Sequence, residues 1–151
     1  AMPISVLESV IDRWVAERIT GWAEEVHKLA GMLARGPVHA AAVQRSLLAI
    51  SLAGILARRH RILYGSENVL WDLVAARMCE PWASAQAAAL SERAETLDAS
   101  CRAALEMYAI AAADVRPLLD RRQCAVVDAA CAVARDLSTL EVRRRGGSGK
   151  K

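Results

Sequence analysis

The chain has 151 residues and a formal net charge of +3, with 54% hydrophobic and 25% charged residues. That length supports one domain burying roughly 70% of its unfolded surface, and that composition excludes intrinsic disorder for the body. Alanine fills 31 positions, Phe is absent and Asn68 is the lone asparagine, so the residues an all-β fold needs for strands and turns are missing.

The remaining reading is all-α: a compact bundle of about five helices over 4–138, with a central apolar helix. The first helix starts at Ser5-Val6-Leu7-Glu8, which has the form of a capping box. Ile4, Leu7, Ile11, Val15, Ile19, Trp22, Val26, Leu29 and Leu33 then recur every three or four residues. This is one uninterrupted stripe, and it predicts one helix as far as Arg35-Gly36-Pro37, a stop signal. The second helix, about 38–63, is apolar nearly all round between Ser46 and Ala57. Such a helix expects burial on most sides. It meets Arg58-Arg59-His60-Arg61, cations placed at the negative end of the helix dipole.

A short helix follows over about 67–79. Pro81 then opens a long helix over about 82–114, since proline is tolerated in a first turn. Asp120-Arg121-Arg122-Gln123 reads as a second capping-box-like start, for a last helix ending near 138. The segment 139–151 is expected to be a flexible basic tail. Its Arg143, Arg144, Arg145, Lys150 and Lys151 outweigh the whole net charge, leaving the body slightly acidic. Gly146-Gly147-Ser148-Gly149 resembles an appended linker, and Ala1 before Met2 resembles a cloning scar.

A near-neutral body argues against a nucleic-acid surface, whose footprint is a basic face. Acidic Glu8 and Asp12 near the start argue against a secretory signal. The longest uncharged stretch, Ser46 to Ala57, has 12 residues, against about 20 for a membrane span. Cys79, Cys101, Cys124 and Cys131 form no CxxC pair and read as small buried hydrophobes in a reducing, cytoplasmic compartment. His27, His39 and His60 lie far apart, so no metal or cofactor is expected. Thin, alanine-rich helices complete a core poorly by themselves, and a homodimer is the expectation.

Trp71, Met78 and Trp82 flank the short helix and are the candidate apolar anchors for a protein partner. Arg58, Arg59 and Arg61 are the candidate polar rim. Together they predict a non-enzymatic interaction module, such as an adaptor, inhibitor or regulatory subunit, that accepts an amphipathic helix. The string His27-Lys28-Leu29-Ala30-Gly31 gives the alternative. It resembles the H-x-L-[K/A]-G motif of histidine phosphotransfer domains, helical bundles that relay phosphoryl groups between receiver domains. The resemblance covers five residues and implies His27 as the phosphorylated group. Lys28 would offset phosphoryl charge, and Gly31 would leave the imidazole accessible.

Overall fold

The computed structural model describes residues 3–36, 38–90 and 96–146, and for 138–146 the backbone alone. The described residues are all-helical. They form α1 (Ile4–Gly21), α2 (Ala23–Arg35), α3 (Val38–Arg59), α4 (Leu70–Met78), α5 (Trp82–Leu90), α6 (Leu97–Val115) and α7 (Arg121–Gly146), with short 3-10 turns before α4 and after α6. Among the described residues seven helices stand where about five were expected, because two long ones break.

The first break falls at Trp22, inside the apolar stripe. The Thr20 hydroxyl donates to the Ala16 carbonyl at 2.7 Å, a contact that bends helices, and Gly21 follows. On the inner side the Tyr108 hydroxyl donates to the Ile19 carbonyl at 3.0 Å. The stripe stays on one face across the bend: Val15, Ile19, Val26 and Leu29 are all buried. The helical pattern lapses only at Trp22, at φ −73° and ψ −8°, and resumes at Ala23. At the start of α1 the Ser5 cap does not form. Pro3 is the flanking residue, its carbonyl accepting from Val6 and Leu7, and Ser5 lies within the helix.

The second break separates α5 from α6. Thr96 caps α6, its hydroxyl accepting from the Ala99 amide at 3.0 Å, a Thr-Leu-Asp start that the alanine-rich stretch before it conceals. Residues 91–95 of the expected single helix lie outside the described ones. The predicted cap at Asp120 forms reciprocally: the Gln123 amide donates to Asp120 Oδ1 at 2.8 Å and the Asp120 amide to Gln123 Oε1 at 2.9 Å. The α7 backbone runs on to Gly146, past the expected boundary at 138, and 147–151 lie outside the described residues.

Gly36, at φ 85°, ends α2 as read from the sequence. α3 ends by a different route. Arg61 takes a left-handed conformation, φ 56°, while the Ile62 amide bonds the Ala57 carbonyl at 2.8 Å and the Arg61 amide bonds the Arg58 carbonyl at 3.2 Å. This is the double bond pattern of a Schellman stop, with arginine where glycine is usual.

α3 packs against α1, α2, α4, α5 and α6, and α7 closes over α2 and α6. Between them lie Leu48, Leu52, Ile55, Leu56, Trp82, Leu105, Met107 and Tyr108, with many alanines that let the helices approach closely. By length and a mean hydropathy of 1.6 over an 18-residue window, α3 is also apolar enough to cross a membrane, which its 12-residue charge-free stretch did not suggest; half of that window is buried.

Candidate interaction face

Around α4 and α5 the predicted anchors are taken up by the core. Trp82 is 0% exposed. Its indole N–H donates to Gln86 Oε1 at 3.0 Å, and Gln86 Nε2 donates to the Trp71 carbonyl at 3.1 Å. A partner could reach Trp82 only if the fold opened, so Trp82 is a core residue and not a surface anchor. Trp71 and Met78 are half-buried and pack on the core. α5 is mostly alanine, so periodicity could not say that Trp82 points inward.

The arginines read as a rim are stitching groups. Arg61 Nη1 donates to the Arg58 carbonyl at 2.6 Å, and its Nη2 pairs with Asp12 Oδ1 at 2.8 Å, tying the end of α3 to α1. Arg59 and His60 both face Asp114 of α6, at 3.6 and 3.0 Å. Arg58 is exposed yet held: its guanidinium lies 4.6 Å from the Trp14 ring centre, and Nη1 donates to the Gly54 carbonyl at 3.1 Å. Arg59 is half-buried, Arg61 is exposed, and Arg58 lines an open hollow beside Trp14.

His27 is exposed on α2, in the second turn after Ala23. Lys28 is engaged by Glu24 at 2.9 Å and Glu25 at 2.8 Å, and these carboxylates raise its pKa. The Arg35 guanidinium folds back over Gly31, where an added Cβ would stand 2.9 Å from its Nη2. The cation nearest the glycine of the motif is thus Arg35, which the sequence reading did not include.

The face that the sequence missed lies on α3. Val43, Leu47 and Ile50 are 60%, 48% and 48% exposed, on a helix expected to be enclosed. With Gly54 they follow a helical spacing along its outer side. Beside them runs a hollow of about 260 Å³ lined by Trp14, Arg18, Trp22, Ser51, Gly54 and Arg58. A second hollow of about 250 Å³ continues past Trp22 to Glu17 and Glu25. Gln44 donates to Glu25, which fixes that carboxylate beside the N-terminal half of α3. The face therefore has an apolar middle, a cationic end at Arg18 and Arg58, and at the other end Glu25, one oxygen of which pairs with Lys28 at 2.8 Å. Its available signal was the completeness of α3's apolar surface, more than one core can cover.

Among the described residues no three His, Cys, Asp or Glu side chains converge as a metal site requires. Cys101 is buried, Cys124 and Cys131 are half-buried, and Cys79 is exposed, contrary to the reading of all four as core. No protein-family model, curated protein or solved structure matches this chain.

Proposed function

We propose that the chain is a non-enzymatic helical interaction module, an adaptor, inhibitor or regulatory subunit, that binds a partner helix or surface through the α1/α3 face. In this reading it is a cytoplasmic homodimer with α3 as its central apolar element. The observation that carries the reading is the row Val43, Leu47 and Ile50, exposed beside the hollow of Trp14 and Trp22. Solvent-facing apolar rows bordered by charge mark contact surfaces more often than chance placement. The packing of α3 against five other helices supports its central place, and four unpaired cysteines support a reducing compartment.

A second reading, phosphorelay through His27, is favoured by the exposure of that imidazole and by Arg35 over Gly31. One experiment separates the two. The protein and its Leu47→Glu and His27→Ala forms are immobilised in parallel, and captured proteins and acid-labile phosphate are measured. An interaction module loses its partner with Leu47→Glu and keeps it with His27→Ala. A relay protein captures a receiver domain, carries acid-labile phosphate, and loses that phosphate with His27→Ala alone.

A further inference from the structure

We propose that the occupant of the α1/α3 face is the same face of a second copy, with the two α3 helices antiparallel; this rests on the reading of that face as the contact surface. A two-fold interface sets a surface against itself, so each feature must find its complement at the mirrored level. Along α3 the exposed positions meet this condition. Turning one copy about the point between Leu48 and Ala49 brings Leu47 opposite Ile50 and Val43 opposite Gly54. Leu47 then meets an exposed branched side chain, and Val43 meets the Gly54 level, where the Arg58 guanidinium lies 3.7 Å from the position of an added Cβ.

The charges obey the same rotation. Arg58 reaches back along its helix, so its guanidinium lies at the level of Gly54, whose carbonyl it bonds at 3.1 Å. Gln44 holds one oxygen of Glu25 at its own level, while Lys28 pairs with the other at 2.8 Å and is shared with Glu24 at 2.9 Å, so two carboxylates face one ammonium there. Within one chain these levels are ten residues, about 15 Å, apart along the axis. In the antiparallel pair the Gly54 level of one copy meets the Val43–Gln44 level of the other, so the Arg58 guanidinium comes to the Glu25 carboxylate. Arg18 stands at that same cationic end, 5.4 Å from the Trp14 ring centre. α1 and α2 run antiparallel to α3 on one flank, so the rotation also sets these flanks facing each other. Complementary potentials of this kind fix register and orientation.

The test uses the full chain, with mass measured by light scattering and affinity by sedimentation. The wild type is expected to run at twice 16.3 kDa. Leu47→Glu, a change at an exposed site, is expected to run as a monomer with unchanged helicity. Glu25→Arg sets two guanidinium groups against each other at both ends of its own dimer, and Arg58→Glu sets two carboxylates against each other there. Each is expected to dimerise about tenfold or more weakly than wild type. An equimolar mixture of the two variants forms a heterodimer in which both contacts again pair a guanidinium with a carboxylate, and is expected to recover affinity that neither has alone. Rescue in the mixture cannot arise within one chain. A mixture as weak as its components overturns the antiparallel register, and a wild type that stays monomeric up to about 100 μM, far above a Kd of about 1 μM, overturns self-pairing. A monomer that still captures a different protein through Leu47 overturns self-pairing while leaving the interaction reading standing.

Discussion

The thiol of Cys101 is enclosed between α6 and α3, its Sγ 3.8 Å from the Ala41 carbonyl. Ionising it there would place a charge among alkyl groups, so burial pushes its pKa from 9.0 up to about 11. Burial raises the phenol of Tyr108 further still, above its ordinary 10.0. Both shifts act with the same sign. In the unfolded chain these groups lose protons first, so the folded state binds more protons at alkaline pH and stability falls as pH rises. The thiol's contribution is complete below pH 9 and is lost between 9 and about 11. Urea unfolding at steps of pH between 8 and 11 is expected to show that decline. In Cys101→Ala the part of the decline between 9 and 10 is expected to flatten, whatever its effect at neutral pH. An equally steep decline in the variant would show that the thiol is not sealed.

At the level of elements, helix ends were legible where a side chain announces them and hidden where tertiary contacts decide. Gly36 and the Asp120–Gln123 pair were read correctly, because each acts on backbone groups within three or four residues. The break at Trp22 was not, because Ile19, Trp22 and Val26 keep helical spacing through it. The stop of α3 is the instructive case. Arg61 holds φ 56°, a region costing a non-glycine residue about 1 kcal/mol or more. Its guanidinium recovers stability through the Arg58 carbonyl and Asp12. Arg61→Gly removes strain and contacts together and is expected to change stability by less than about 0.5 kcal/mol. Arg61→Ala loses the contacts and keeps the strain, and is expected to cost about 1 kcal/mol more than glycine in thermal unfolding. If alanine matches glycine, the left-handed stop is wrong.

For the whole molecule, the decisive fact is that the chain has more apolar helix surface than its single core can enclose. Composition and periodicity foretold the helices and the apolar character of α3, but not which of its sides would be left uncovered. The tryptophans divide in the same way: Trp82 went inside, while Trp14 and Trp22 border the open hollow. Two adjacent leucines measure where that boundary runs. Leu48 is 0% exposed within the core, and Leu47 is 48% exposed on the outer face. A glutamate at 48 would bury a carboxylate without a partner or force it to stay protonated, either costing several kcal/mol. Against a total stability of about 5–15 kcal/mol, Leu48→Glu is expected to abolish cooperative unfolding or bring it close to room temperature. Leu47→Glu is expected to leave single-chain stability within about 0.5 kcal/mol when measured at concentrations too low for association. At higher concentration the two proteins differ again. A wild type whose midpoint rises with concentration, beside a Leu47→Glu form whose midpoint does not, places the missing cover of α3 on another chain. Equal losses at 47 and 48 would instead mean that the outer face is already covered within one chain.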